Sequence, residues 1–200
     1  MTRTFFNQKA AIWDDIASEN DMTKLERMTQ RLDIKPGSTI LDVGTGTGVL
    51  IPFLLNQIGT RGHIVALDIA EKMLEKARGK GFNENIDYVC ANVTTIPLDN
   101  EIFDSVVCYS TFPHFRDKPK ALAEMKRVIK SGGKLLICHT SSRAAINEMH
   151  RKIPAVENDI IPEAAAMQRM LSRAGFTRIE IEDNNESYFC SATKSGLEQF

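Results

Sequence analysis

The segment Leu41-Asp42-Val43-Gly44-Thr45-Gly46-Thr47-Gly48 places three glycines at alternate positions directly after a short apolar run. Residues 38–43 have the pattern of a buried strand, and residues 49–55 that of the first turns of an apolar helix. The glycines therefore fall on a strand-to-helix turn. Without side chains, such a turn can adopt positive φ angles and bring backbone N–H groups close to a ligand. The segment predicts a ligand-binding site.

Two details indicate which ligand this turn binds. The dinucleotide fingerprint G-x-G-x-x-G places the third glycine at position 49, but here it comes one position early, at Gly48, and Val49 follows it. Asp42 lies two residues before the first glycine, where its carboxylate would repel a phosphate and attract an ammonium group. The turn therefore predicts a zwitterion joined to a ribose rather than a dinucleotide.

Further segments follow in an order that resembles a known family. They are Ile64-Val65-Ala66-Leu67-Asp68, Ala91-Asn92-Val93-Thr94-Thr95-Ile96-Pro97-Leu98, Phe103-Asp104-Ser105-Val106-Val107 and Arg127-Val128-Ile129-Lys130-Ser131-Gly132-Gly133-Lys134-Leu135. Together with the glycine turn, they resemble the class I S-adenosylmethionine (SAM)-dependent methyltransferases, in the broad group around the quinone-biosynthesis (UbiE-like) enzymes. The resemblance covers roughly residues 35 to 195.

The resemblance implies a set of cofactor contacts for SAM and its product S-adenosylhomocysteine. Asp68 would hold the ribose hydroxyls and Ile69 would lie against the adenine. Asn92 stands where the family usually has Asp, and its carbonyl can still accept a hydrogen bond from the adenine amino group, beside the backbone N–H of Val93. The whole expected cofactor set is Asp42, Gly44, Thr45, Gly46, Gly48, Asp68, Ile69, Asn92, Val93 and Tyr109.

Strand and helix patterns alternate along the chain, which predicts an α/β doubly wound sheet. The resemblance implies seven mostly parallel strands in the order 3-2-1-4-5-7-6, with strand 7 antiparallel and helices on both faces. We expect one domain over residues 1–200, with an N-terminal helical lid at 1–34 and a Rossmann-like core at 35–195. Residues 183–186 are expected to form the turn of a terminal hairpin.

Composition limits the partners of this domain. The chain has 200 residues, of which 42% are hydrophobic and 26% charged, as in ordinary globular proteins. Its net charge of −1 provides no general attraction for nucleic acid. No apolar run approaches the ~20 residues of a membrane span, and no signal-peptide pattern opens the chain. We therefore expect a cytoplasmic protein that acts on a small molecule; its oligomeric state is left open.

Four cysteines, at positions 90, 108, 138 and 190, lie in strand-like runs without C-x-x-C spacing. This pattern predicts small reduced core residues rather than disulfides or a cysteine metal site.

The acceptor side of the site is expected beyond strands four and five, because ligands of doubly wound sheets bind outside the carboxyl ends of the strands. Three of the four histidines, His114, His139 and His150, map to this side. Arg143 and His150 would share one face of a helix that begins at residue 143. His63, at the opposite end of the second strand, is expected to be structural.

Three interpretations of these polar residues stay open. They can be solvated or locally hydrogen-bonded residues without a catalytic role. They can form an acceptor site, in which His114 or His139 acts as a base and Arg143 and His150 bind the acceptor. They can also bind a metal through His114, His139 and His150 with Asp159 or a cysteine, although no H-x-x-x-H spacing supports this.

The predicted activity is in-line transfer of a methyl group from SAM to a small-molecule acceptor. The segment Tyr109-Ser110-Thr111-Phe112 stands where methyltransferases of base or glutamine amino groups have N/D-P-P-Y/F, which argues against those acceptors. Two alternatives belong to other classes. A SAM-binding sensor or partner protein would keep every cofactor residue without methyl transfer, and an NAD-dependent oxidoreductase would share the architecture but not the glycine spacing.

Overall fold

The apolar runs of the sequence form one seven-stranded sheet in the computed structural model, which describes residues 2–16, 21–82 and 85–196. The strands are β1 (Thr39–Val43), β2 (His63–Asp68), β3 (Ile86–Cys90), β4 (Phe103–Tyr109), β5 (Ile129–His139), β6 (Phe176–Asp183) and β7 (Tyr188–Lys194). The α-helices are α1 (Thr2–Lys9), α2 (Trp13–Ile16), α3 (Met22–Gln30), α4 (Ile51–Ile58), α5 (Glu71–Gly79), α6 (Lys118–Val128), α7 (Arg143–Arg151) and α8 (Ala164–Arg173). Within the described ranges, no helix has the length and apolar character needed to cross a bilayer.

The strand order is β3-β2-β1-β4-β5-β7-β6, which confirms the predicted topology. Leu41 at the centre of β1 pairs in parallel with Val65 of β2 and Val106 of β4. β7 runs antiparallel to both β5 and β6. The order of the strands therefore reverses between β1 and β4, which is where doubly wound sheets bind ligands.

The sheet is buried on both faces because its central strands carry apolar side chains on both faces. Leu41 and Val43 belong to one hydrophobic cluster, whereas Ile40, which precedes Leu41, belongs to another together with Ile64. Successive side chains of a strand point to opposite faces, so β1 contributes to a core above and a core below the sheet. This burial fixes the register of β1 and therefore the position of the turn that follows it.

Two elements differ in extent from the sequence prediction. The alternating patterns of the sequence predict a fifth strand over residues 134–138, but β5 begins at Ile129, because Ile129 already pairs with Phe103 across a register shift in β4. The helix expected from residue 49 begins at Ile51, since the turn that starts at Gly44 continues through Leu50. The predicted terminal hairpin is present: the Asn184 side-chain carbonyl accepts hydrogen bonds from the backbone N–H groups of Glu186 and Ser187, both at 2.9 Å.

The N-terminal residues divide into two parts. In α1 and α2, Phe6 and Trp13 pack against Ala70 and Met73 at the start of α5. In α3, by contrast, Leu25 and other apolar residues are buried in the core cluster shared with α4. Of the expected lid at residues 1–34, residues 1 and 17–20 lie outside the described residues. We use the term lid below for residues 2–16 only.

The cysteine prediction was right for three residues and wrong for one. Cys108, Cys138 and Cys190 are free and buried, as expected of small core residues. Cys90 is free but exposed, because β3 is the edge strand of the sheet and Cys90 is its last residue.

Candidate functional site

A cavity of about 500 Å³ lies at the carboxyl ends of β1, β2 and β4, beneath the lid. Its walls are built from the glycine turn, the residues that follow β2, β3 and β4, and the end of α7 with the loop beyond it. The lid contributes Phe5, Phe6, Trp13 and Ile16 to the wall. The cavity therefore occupies the switch point where the sequence predicted the ligand site.

The glycine turn has a shape that a residue with a side chain could not reproduce at Gly44. The φ angles of Gly44 and Gly46 are 70° and 56°. A Cβ atom at Gly44 would lie 2.0 Å from Thr111 Oγ1, because the turn after β1 approaches the segment after β4 this closely. A Cβ at Gly46 would meet nothing within 4 Å. Gly44 is therefore required for packing and for φ, and Gly46 for φ alone.

Two buried carboxylates flank this turn. Asp42 Oδ2 accepts a hydrogen bond from Thr45 Oγ1 at 2.6 Å, and burial raises the pKa of Asp42 to about 7. Asp68 accepts from the backbone N–H groups of Gly46 and Ala70, at 2.9 and 2.8 Å, and burial raises the pKa of Asp68 to about 6. Both residues line the cavity.

The donor and acceptor chemistry of this end of the cavity fits SAM. In the described part of the chain, neither Asp42 nor Asp68 forms an ion pair with a basic side chain. Two neighbouring buried carboxylates without a cation favour a positively charged ligand, because burial of unpaired charge is costly. A carboxylate has about four lone-pair sites, so Asp68 can still accept hydrogen bonds from ribose hydroxyls. An ammonium group, a sulfonium and a ribose satisfy these requirements together.

The structure brings nine of the ten expected cofactor residues to the cavity wall. They are Asp42, Gly44, Thr45, Gly46, Asp68, Ile69, Asn92, Val93 and Tyr109. Gly48 is the exception and does not line the wall: an added Cβ there would lie 3.3 Å from Ala77 of α5 and 3.0 Å from Phe82, which follows that helix. The third glycine therefore allows close packing of the turn against a helix instead of lining the site.

Asn92 lies in the cavity wall, but its carbonyl oxygen is engaged locally. Asn92 Oδ1 accepts hydrogen bonds from Thr94 N and Thr94 Oγ1, both at 3.0 Å. This oxygen could accept from an adenine amino group only if the Thr94 hydroxyl turned away. The expected role of Asn92 in adenine recognition therefore requires a local rotation.

The lid is attached to the cofactor side by polar contacts that the sequence did not indicate. The Thr47 hydroxyl donates a hydrogen bond to Asp14, whose other carboxylate oxygen lies 2.9 Å from Lys80 Nζ. Lys72 N donates to Asn7 Oδ1 at 3.1 Å. These partners are more than thirty residues apart, so no local pattern could have predicted them.

On the acceptor side, His114 is held by Asp159. His114 Nδ1 lies 2.8 Å from Asp159 Oδ2, and the side chains are only 11% and 21% exposed. A carboxylate only accepts, so Nδ1 is the donor and Nε2 is the basic nitrogen of the neutral ring. Burial lowers the pKa of His114; the Asp159 hydrogen bond opposes this effect, and the nearby His150 adds to it. His114 is therefore neutral near pH 7, as a base must be.

His150 lies beside His114, with 4.9 Å between the ring centroids, and both residues line the cavity. His150 Nδ1 donates a hydrogen bond to the backbone carbonyl of Asp159. One loop residue therefore orients both rings, through its side chain and its main chain. The Phe6 ring of the lid meets His114 edge to face at 5.0 Å.

His139 and Arg143 do not reach the cavity wall, which corrects their expected positions in the acceptor site. His139 is the last residue of β5 and is 1% exposed, with its ring 6.3 Å from that of Tyr188. Arg143 points to the outer side of α7, where it forms ion pairs with Asp183 and Glu163, both at 2.8 Å. The helical spacing of Arg143 and His150 was correct, but the outer part of that face meets the β6–β7 hairpin.

The metal interpretation finds no support in the geometry. Among residues 2–16, 21–82 and 85–196, no three His, Cys, Asp or Glu side chains are grouped as a metal site requires. His63 lies at the far end of β2, as expected, and pairs with Asp87 at 2.9 Å. Asp104 also has a local role, since it accepts from Thr39 N and from Lys130 Nζ.

Comparisons with known proteins agree with this site. A family model described as a methyltransferase domain matches residues 41–137. The ubiquinone/menaquinone biosynthesis C-methyltransferase UbiE of Vibrio parahaemolyticus is 35% identical over 147 residues, which are 68% of this chain and 56% of that protein. The UbiE protein of Shewanella frigidimarina is 37% identical over 123 residues, or 60% of this chain and 48% of that protein.

Among solved structures, a SAM-dependent methyltransferase from Aquifex aeolicus superimposes with a TM-score of 0.76 and 26% identity, covering 94% of this chain and 98% of that one. The chain spans about half the length of the curated relatives it matches. Matched sequence, strand order and the two-carboxylate cavity all agree with SAM as the cofactor. The chain belongs to the class I SAM-dependent methyltransferases, in the UbiE-like group.

Proposed function

We propose that this chain transfers the methyl group of SAM to a small-molecule acceptor, and that His114, oriented by Asp159, removes the acceptor proton. One observation carries the proposal: a single cavity is lined both by the carboxylates Asp42 and Asp68 and by the neutral imidazole of His114. A cofactor held at the first end and an acceptor held at the second would meet inside one enclosed space.

The lining supports an acceptor that is small and largely apolar. Besides His114, the cavity wall includes apolar side chains from the lid, the segment after β4, the end of α7 and the loop beyond it. These are Phe5, Phe6, Trp13, Ile16, Phe115, Met149, Ile153 and Val156. Such a wall favours an apolar body with one ionisable hydroxyl, thiol or acidic carbon that reaches His114. The UbiE relatives are C-methyltransferases of quinone biosynthesis by name, so a quinol is one acceptor to test.

The proposed chemistry requires little covalent action by the protein. SAM supplies an activated methyl group, whose bond to the sulfonium breaks as the bond to the acceptor forms. His114 Nε2 would take the acceptor proton, and Asp159 would stabilise the resulting imidazolium. The lid contacts of Asp14 and Phe6 would exclude water and align the two substrates, an effect that can supply ~7 to 11 kcal/mol.

The test is production of S-adenosylhomocysteine from SAM with a panel of thiols, phenols and quinols. We expect at least one acceptor to support turnover, and His114→Gln to lower kcat on the order of 10²- to 10⁴-fold with SAM affinity within twofold. His63→Gln is the matched control, because His63 also pairs with an aspartate but lies at the opposite end of β2. Equal losses in both variants would contradict a role for His114 in proton removal.

Two outcomes would favour the alternative functions. SAM binding without product from any acceptor would support a sensor or partner protein. Tight binding of NADH with no binding of SAM would support an oxidoreductase and overturn the proposal.

A further inference from the structure

The inward face of α7 holds the loop that carries Asp159. Asn147 is 6% exposed, and its side-chain amide makes two hydrogen bonds to one residue of that loop. Asn147 Nδ2 donates to Ile161 O at 3.1 Å, and Asn147 Oδ1 accepts from Ile161 N at 2.8 Å. This pairing imitates the two bonds between neighbouring strands, so it fixes both the position and the direction of the loop backbone at Ile161.

Asp159 lies between two anchors of this loop. On one side, Val156 is 3% exposed and its carbonyl accepts from Asp159 N at 2.9 Å. On the other side, Ile161 is 1% exposed and bound to Asn147. In addition, His150 donates to the Asp159 carbonyl. The Asp159 carboxylate thus reaches His114 from a backbone that is buried at Val156 and that α7 holds at Asp159 and Ile161.

We propose that Asn147 is a positioning residue that acts on the reaction through Asp159 and His114. Asn147 is not part of the cavity wall formed by the described residues, so it does not contact an acceptor there. Its two hydrogen bonds instead set the distance between Asp159 and the imidazole. This inference rests on the proposed role of His114 as the base.

Three titratable groups act on His114 from the surrounding elements, and a fourth, Lys118, faces Asp159. Asp159 from the loop favours the protonated ring, whereas His150 from α7 and His139 from β5 disfavour it. Lys118 at the start of α6 faces Asp159 and is held by the carbonyls of Pro113 and Phe115. If the loop moves, the contribution that favours the protonated ring weakens, because the loop carries Asp159. The pKa of His114 should then fall, and the acid limb of kcat should move to lower pH.

The experiment compares Asn147→Ser, Asp159→Asn and the double variant in the full chain. We expect Asn147→Ser to lower kcat roughly 10- to 100-fold, with SAM affinity within twofold. Its acid limb should shift to lower pH in the same direction as that of Asp159→Asn. Asn158→Ser is the matched control, because Asn158 is an exposed neighbour of Asp159 whose amide, among the described residues, donates only to Glu157, at 3.4 Å.

The double variant separates positioning from general destabilisation. If Asn147 acts through Asp159, adding Asn147→Ser to Asp159→Asn should lower kcat by less than twofold more. If the kcat losses of the two single variants multiply in the double variant, the inference is overturned. It is also overturned if the acid limb of Asn147→Ser does not shift, even though kcat falls. If Asp159→Asn itself leaves kcat and the limb unchanged, the proposed base is wrong instead. If Asn147→Ser does not fold, Asn147→Asp replaces it, because an aspartate still accepts from Ile161 N. We again expect that adding this substitution to Asp159→Asn lowers kcat by less than twofold more.

Discussion

His114 Nδ1 lies 2.8 Å from Asp159 Oδ2, across 45 residues of sequence. The pair connects the segment after β4 to the loop after α7, two walls of the same cavity. Because the carboxylate fixes the Nδ1 proton, the ring has one defined tautomer with its basic nitrogen at Nε2. With His114 as the proposed base, protonation of Nε2 should lower turnover in a pH range that can be measured.

We expect kcat to be constant above neutral pH and to fall as His114 becomes protonated. Burial lowers the pKa of His114 from 6.5, so the acid limb should lie below pH 6.5. The measurement is kcat at saturating SAM and acceptor over roughly pH 5 to 9, a range that includes the titration of an unperturbed histidine. A limb above pH 7 would contradict a neutral His114 base.

SAM affinity should depend on pH through Asp42. The carboxylate must be ionised to attract the cationic ligand, and its pKa in the ligand-free protein is raised to about 7. Affinity should therefore increase as pH rises through about 7, and decrease as Asp42 becomes protonated below it. Calorimetric titration of SAM on either side of this value tests the expectation. Affinity that is flat across the range would indicate that Asp42 does not face the positive charge.

Asp42→Asn should weaken SAM binding and yet stabilise the ligand-free protein. Between the unfolded pKa of 3.8 and the folded value of about 7, the folded state binds more protons than the unfolded state. This carboxylate therefore lowers the free energy of unfolding as pH rises through that window. At pH 8, removing its charge should raise the free energy of unfolding on the order of 2 kcal/mol. Thermal melts with and without SAM measure both effects, and a lower melting temperature without ligand would contradict the argument.

Asp68→Asn should weaken SAM binding by about 1.5 to 3 kcal/mol, because a charged acceptor for the ribose hydroxyls and the Gly46 N–H becomes neutral. Asp87→Asn provides the control: Asp87 lies on the neighbouring strand β3 but is exposed and paired with His63. Binding isotherms at pH 8 compare the two variants. If Asp68→Asn changes SAM affinity by less than twofold, Asp68 does not bind the ribose hydroxyls.

Gly44→Ala and Gly37→Ala separate close packing from backbone strain. Both glycines have positive φ, 70° and 81°, but a Cβ at Gly44 would lie 2.0 Å from Thr111 Oγ1 and one at Gly37 would meet nothing within 4 Å. In each variant, an alanine with a left-handed backbone should lower the free energy of unfolding by roughly 1 kcal/mol. For Gly44→Ala, overpacking should lower the free energy of unfolding by about 1 to 3 kcal/mol more. If chemical denaturation gives the same decrease in the free energy of unfolding for both variants, Thr111 moves aside without cost.

The fold and the position of the SAM end of the cavity follow from local sequence features and from the resemblance that they carry. Apolar runs, the spacing of Gly44 and Gly46 and the carboxylates at Asp42 and Asp68 are local features. Once parallel strands align, local features at strand ends come together at one edge of the sheet. The strand order and the meeting of nine of the expected residues at one cavity wall were therefore predictable from sequence and resemblance.

Only the tertiary structure decided which polar residues share the acceptor side. Arg143 and His150 have suitable helical spacing, but packing directs His150 to the cavity and leaves Arg143 with Asp183 on the hairpin. His139 follows β5 as expected, yet it is enclosed beside Tyr188. The contact between His114 and Asp159 depends on an irregular loop that Asn147 holds at Ile161. Periodicity specifies which residues share a face of one element, whereas contacts between distant elements depend on how those faces pack together.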